Sequence, residues 1–162
     1  MDHVDGILAQ WQSERPDLNV SAMGVIGRIK KLSQYLSREM EKTFAQHGLN
    51  AAGFDVLATL RRAGEPYSLS PGQLLEQTMV TSGTMTHRID LLVKAGWVER
   101  VKNPNDARSV QISLTHKGYN VINAAISEHV ATQQRLLAGL SKDEAETLTT
   151  LLRKFVSGFE DS

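Results

Sequence analysis

The sequence predicts a mostly α-helical fold with one small β-hairpin, and three observations predict it. A polar-faced helical stretch runs directly into two short β-rich segments around a basic loop, within TSGTMTHRIDLLVKAGWVERVKNPNDARSVQISLTHK, residues 81–117. A short, well-capped helix precedes that stretch after a tight turn. Long amphipathic helices flank both sides. Helix, turn, helix and hairpin in this order make a winged helix-turn-helix, here with long N- and C-terminal helices available for dimerisation.

The first strongly periodic segment carries Ile26, Ile29, Leu32, Leu36, Met40 and Phe44 at helical steps, which predicts one long helix over Ser21–Gln46, ended by Gly48. Asn50 caps the next helix, Ala51–Ala63, whose inward residues are Phe54, Leu57 and Leu60 and which stops at Gly64. Ser70, Pro71 and Gln73 then supply an N-cap, a first-turn proline and a capping-box glutamine for a short helix over Pro71–Gln77. A turn around Thr78–Thr81 leads into the second helix of the pair.

That second helix buries Met85, Ile89, Leu92 and Val93 on one stripe. Its other side offers Ser82, Thr84, Thr86 and His87 near the N-terminus, where short donors and acceptors suit base edges and the helix dipole favours phosphate. Gly96 closes it, and Trp97–Lys102 is rich in β-formers. The loop NPNDARS follows, with Asn103, Pro104 and Asn105 as turn residues; Val110, Ile112 and Leu114 then alternate with Gln111 and Ser113 as a half-buried return strand. At the hairpin tip Arg108 is placed to enter a minor groove, with Asp106 two residues earlier expected to hold its guanidinium by a paired hydrogen bond.

Thr115 caps a long helix through Leu137 with the stripe Tyr119, Ile122, Ile126, Val130 and Leu137. Ser141 and Glu144 open a last helix whose apolar face is Leu148, Leu151, Leu152, Phe155 and Phe159. The length of 162 residues suits one cored domain. It divides into N-terminal dimerisation and ligand-side helices (1–48), the winged helix-turn-helix (49–114) and C-terminal dimerisation helices (115–162). Apolar stripes on terminal helices that a small domain cannot cover are expected to pack on a twofold mate. That would set two reading helices about one DNA turn, ~34 Å, apart.

Net charge is zero, but the charges are segregated. Over 81–118 there are six Lys or Arg (Arg88, Lys94, Arg100, Lys102, Arg108, Lys117) against three acids (Asp90, Glu99, Asp106). From Tyr119 onward four basic residues meet six acids, so a basic reading face stands beside an acidic tail. A compact, salt-sensitive DNA contact follows. The absence of cysteine excludes disulfides, thiolate zinc sites and thiol-based oxidant sensing. No apolar run approaches bilayer length and the first residues are acidic, so no membrane partner and no signal peptide are expected and a cytoplasmic location is.

Catalytic motifs are missing: there is no G-x-S-x-G, P-loop, G-x-G-x-x-G or acid-base carboxylate pair, and the five histidines have no zinc-site spacing. Neither an enzyme, a metal nor a cofactor is implied. A helix followed by a hairpin also occurs in winged domains that bind only protein, so a protein-interaction module without specific DNA binding is the alternative reading. The capped helix upstream of the reader favours DNA.

The order of helices, the wing NPNDARS with Asp106 and Arg108, the GWVER strand, LTHKG opening the penultimate helix and LSKDE opening the last resemble the MarR family of bacterial transcription regulators over nearly the whole chain. The resemblance implies a homodimer that binds a palindromic double-stranded DNA operator and releases it when a small effector binds. The leading segment with Trp11 and Glu14-Arg15-Pro16-Asp17-Leu18 looks like the urate-responsive, PecS-like branch. That likeness implies an effector site of Trp11, Asp55 and Arg88 for urate or xanthine, with the wing's Arg108 matching as well and Arg15 and Arg28 as further positive candidates. The chemistry is consistent: a purine monoanion calls for an aromatic face, a guanidinium and a carboxylate that accepts ring N–H. Each residue also has a plainer role, Trp11 as cover for a dimer core, Asp55 as a cap or ion-pair partner, Arg88 as a phosphate contact.

Overall fold

The computed structural model describes residues 1–78 and 85–160, grouped in two compact units, Met1–Lys42 and Thr43–Ser162. The first unit holds α1 (His3–Glu14) and most of α2 (Ser21–Gln46). Asp2 caps α1: its carboxylate accepts the Val4 and Asp5 N–H groups, and the Asp5 carboxylate accepts the Asp2 N–H in return. This capping box satisfies donors that a helix start otherwise leaves open. Val4 is buried between the two helices, packed against Gly27 of α2.

Around α3 (Ala51–Arg62) the second unit gathers its core. Asn50 caps this helix through the Gly53 N–H at 2.8 Å, and Val56, Leu57, Thr59 and Leu60 are fully buried along it. Gly48, in the left-handed region at φ +71°, ends α2 as expected from the sequence. α4 (Pro71–Gln77) begins in the reciprocal bonds between Ser70 and Gln73, and α5 is described over Met85–Lys94. The bounds of α2 and α4 coincide with those the sequence predicts: a stripe sustained over many turns with Gly48 after it marks α2, and the Ser70 capping box fixes the start of α4.

β2 (Val98–Asn103) and β3 (Asp106–Leu114) form the hairpin, and β1 (Ser68–Leu69) adds an edge strand, giving the antiparallel order β1-β3-β2. The sequence predicts only the hairpin, without a third strand. Two residues carry no detectable alternation, and β1 exists because Ser68 and Leu69 meet Ser113 and Ile112 across the ladder. The return strand also starts earlier than expected, at Asp106 rather than Val110, around a two-residue turn of Pro104 and Asn105.

α6 (His116–Leu136) is capped by Thr115, and α7 (Lys142–Glu160) opens with the expected Ser141–Glu144 exchange of hydrogen bonds. Ile122 of α6 is fully buried, whereas no residue of α7 is buried. Leu151, Leu152, Phe155, Val156 and Phe159 all stay exposed on it.

A ring cluster of stacked Phe44 and Phe54 with a tilted His129 joins the end of α2 to α3 and α6, with ring centroids 4.3 to 5.0 Å apart. The His129 Nδ1 is buried with no hydrogen-bond partner among the described residues, and burial lowers the imidazole pKa below its ordinary value. The unfolded chain therefore takes up this proton at a higher pH than the folded one. Stability from this site is present above about pH 6.5 and falls as pH drops toward the lowered folded value. Thermal melts at about pH 7.5 and about pH 5.5 should show a larger loss for the native chain than for His129→Phe. Equal losses would show that His129 does not contribute.

Candidate nucleic-acid interface

The reading helix presents its polar side because Ile89 and Leu92 anchor the other side in the core. Thr86 and His87 are exposed and Arg88 is half-buried. Ser82 and Thr84, expected on the same surface, lie outside the described residues, as do 79–81 of the expected turn. Asp90, also exposed, forms an ion pair with Arg100 on β2, which ties the reading helix to the hairpin. This removes Arg100 from the set of free basic groups that the charge count suggested.

The hairpin places Arg108 by a bulge. Lys102 pairs with Val110 and Asn103 with Asp106, so Ala107, Arg108 and Ser109 lie opposite a single step of β2. Extra residues on one strand leave the ladder and re-aim a side chain. Asp106 shapes this bulge: its Oδ1 accepts the Arg108 backbone N–H at 3.0 Å, and its carbonyl accepts the Ser109 hydroxyl at 3.1 Å. The expected bond from Asp106 to the Arg108 guanidinium is thus corrected. The carboxylate holds the backbone, and the exposed guanidinium forms no ion pair among the described residues. A bulge residue needs its amide satisfied more than its charge neutralised, which leaves the cation for phosphate or a minor groove.

Beneath the wing the start of α6 is clamped to the end of α5. The Thr115 N–H donates to the Trp97 carbonyl at 3.1 Å, its hydroxyl donates to the Gly96 carbonyl at 2.7 Å, and the same hydroxyl accepts the Gly118 N–H at 3.0 Å. Lys117 Nζ reaches the Ala95 carbonyl at 3.4 Å, where a cation suits the end of a helix. The sequence offered LTHKG only as a resemblance. Its physical content is this clamp, with Gly118 as the point of closest approach.

Of the suspected effector residues, Asp55 is buried on α3 and Arg88 lies on α5, two helices that pack on each other. Both take part in further interactions within the protein. In the first unit Trp11 is exposed on α1. Arg15 is held by Asp17 through two hydrogen bonds of 2.8 and 2.6 Å. Arg28 donates to both oxygens of Asp2, to Asp5 at 2.6 Å and to the Gly24 carbonyl, clamping α1 onto α2. The Asp2 carboxyl is held below its ordinary pKa first by the Asp5 backbone N–H and then by Arg28; the Asp5 carboxyl is lowered first by the Asp2 backbone N–H and then by Arg28. Arg15 and Arg28 therefore already have carboxylate partners. Among the described residues no three His, Asp or Glu gather as a metal site, and no helix is long and apolar enough to cross a membrane.

Comparisons with known proteins agree with this architecture. The model of the MarR family matches residues 47–109. The chain is 42% identical to the transcriptional regulator PecS of Dickeya dadantii over 92% of this chain and 90% of that one. It is 35% identical to the multiple antibiotic resistance protein MarR of Escherichia coli over 80% and 89%. A solved structure of a mutant Escherichia coli MarR in complex with operator DNA superposes with a TM-score of 0.70 at 31% identity, covering 90% of this chain and 96% of that chain. The chain belongs to the MarR family of winged-helix transcriptional regulators, a family of regulators rather than enzymes, and within it to the PecS-like branch.

Proposed function

We propose that the protein is a ligand-responsive repressor that binds a palindromic operator as a cytoplasmic homodimer and is released by a small anionic aromatic effector such as urate or xanthine. The observation that carries the DNA contact is the bulge at Ala107–Ser109, which presents an Arg108 guanidinium with no ion pair among the described residues, beside a reading helix whose Thr86 and His87 are exposed. Thr86 and His87, with Ser82 and Thr84 upstream, serve the major groove, and Arg108 serves the minor groove. Asp106 is a positioning residue for Arg108. The homodimer is supported by the apolar faces that α2 and α7 leave exposed.

The effector reading rests on Trp11, Asp55 and Arg88. Asp55 supplies a buried acceptor on α3, and Arg88 comes from the reading helix itself, so an anion that draws on Arg88 would act directly on the element that reads DNA. Arg15 and Arg28 would have to leave Asp17 and Asp2–Asp5 to take part. Reciprocal linkage requires operator DNA to weaken effector binding by the same factor as the effector weakens DNA binding.

The test is fluorescence anisotropy on the intergenic DNA beside the protein's own gene at two salt concentrations, followed by urate and xanthine. Specific, salt-dependent binding reversed by either purine is expected. Specific binding indifferent to both keeps the regulator and overturns the effector; no specific binding favours a protein-interaction module. In the same assay Arg108→Ala should weaken binding to all sequences and lower the salt slope by about one. An unchanged slope would remove Arg108 from the contact. Trp11→Ala should leave operator affinity intact and blunt release by the purine, whereas loss of the dimer would make Trp11 structural.

A further inference from the structure

Between α1 and α2 runs a groove of about 700 Å³, the size of a small-molecule site. Its polarity is graded along its length. The two helices pack antiparallel, with Leu8 3.3 Å from the Cβ position of Gly24 and Val4 3.5 Å from that of Gly27. Leu8, Met23 and Ile26 therefore line one end, while His3, Lys30 and Lys31 line the other. From Met23 to Lys30 the helix rises about 10 Å, the reach of a medium-length alkyl chain.

No Asp or Glu lines the groove. The two carboxylates at the cationic end of α1, Asp2 and Asp5, are both engaged by Arg28. Lys30 has no ion-pair partner among the described residues, and Lys31 stands over the Tyr35 ring, 5.8 Å from its centroid. An apolar trough ending in two lysines and a histidine, without a compensating acid, is electrostatically incomplete. The core of a protein–protein contact is depleted of charge, so a second copy seated here would bury these cations unpaired. A small acid with an apolar tail would satisfy both ends.

We propose that this groove binds an amphipathic monocarboxylate, its tail over Leu8, Met23 and Ile26 and its carboxylate at Lys30 and Lys31 beside His3. The site lies wholly within the first unit and shares no residue with Trp11, Asp55 or Arg88. It is a second small-molecule site, independent of the purine reading. Occupancy would staple α1 to α2 by adding an apolar contact to the Arg28 clamp.

Calorimetric titration of the full-length protein with octanoate, kept below its micelle concentration, tests this, with 1-octanol and octylamine as comparators. Saturable binding of one octanoate per chain is expected, with the alcohol about ten-fold or more weaker and the amine weaker still. The double variant Lys30→Gln/Lys31→Gln should lose about ten-fold or more in octanoate affinity while its weak binding of octanol is unchanged. Hydrogen exchange with octanoate bound should slow in 3–14 and 22–34. Absence of saturable binding, equal affinity for acid and alcohol, full affinity in the double variant, or protection confined to α3 and α5 would each overturn the proposal. A protein indifferent to urate would leave it standing, because the purine assay reads a different set of residues.

Discussion

Gly118→Ala is expected to lower the melting temperature more than any other single methyl addition to a described glycine. A Cβ at this position would lie 1.9 Å from the Trp97 carbonyl oxygen and 2.7 Å from its carbon. The obstacle is backbone, so no rotamer change relieves it. The Trp97 carbonyl is also fixed as the acceptor of the Thr115 N–H, and the neighbouring Gly96 carbonyl as acceptor of the Thr115 hydroxyl. Relief requires α6 to move off the start of β2, breaking the clamp. Overpacking of this kind costs about 1–3 kcal/mol or more, and a chain of this size loses roughly 2–4 °C per kcal/mol. Because β2 carries the hairpin, operator affinity should fall as well, and at temperatures where the variant remains folded. Gly6→Ala is the matching control: Gly6 sits inside α1 with nothing within 4 Å of its Cβ position, so the same methyl should stabilise by about 0.5–1 kcal/mol. Melting curves and anisotropy on both variants decide the matter. A Gly118→Ala protein that melts and binds like the native one would show that the clamp yields without cost.

The contrast between those glycines marks what the sequence can reveal. Caps are local, and so Ser70-Pro71-Gln73, Asn50, Thr115 and Ser141 disclose the helix starts they set. The stripe from Ile26 to Phe44 discloses α2 for a similar reason, since periodicity over many turns averages out exceptions. Gly118 is different: its requirement comes from Trp97, distant in sequence, and no pattern near LTHKG signals it. β1 is equally hidden, because two residues become a strand only when β3 arrives beside them. At the site, the pairing of types in Asp106 and Arg108 suggested an ion pair, but spacing by two along a strand of ordinary register differs from spacing by two across a bulge. The register slip after Lys102 sends the guanidinium outward and leaves the carboxylate with the amide. The polar face of the reader is legible at Thr86 and His87, whose exposure follows from the buried positions of Ile89 and Leu92. Asp90 and Arg100 read only as charges in a sum, yet together they join the helix to the wing. Lys30 and Lys31 read as an ordinary solvated pair on α2, and their place at the end of an apolar groove depends on how α1 folds back over them.

Phe155→Asp is expected to convert the protein from a dimer to a monomer and to reduce operator binding to the level of a single reading head. α7 has no buried residue, yet Leu151, Leu152, Phe155, Val156 and Phe159 present an apolar face, with Phe155 and Phe159 in contact at 5.6 Å between ring centroids. Burying a Leu or Phe side chain fully contributes about 1.5–3 kcal/mol. Covering what these five still expose is therefore of the order of several kcal/mol per chain, a large share of the roughly 8 kcal/mol that a micromolar dimer requires. A carboxylate in the centre of that face would lose the ring and would enter the interface without a partner, a cost of several kcal/mol by itself. Weakening of the dimer by more than about a hundred-fold is expected. Two joined heads on one DNA combine their affinities only while the joint holds, so its loss should cost far more in DNA affinity than loss of any one contact. Thr150→Asp changes charge on the same helix on the side opposite the apolar face, and it should leave both properties unchanged. Light scattering after size exclusion reads the mass, and anisotropy on full and half operators reads the DNA. A Phe155→Asp protein with dimer mass and native operator affinity would place the dimer contact elsewhere and leave the α7 face without a role in it.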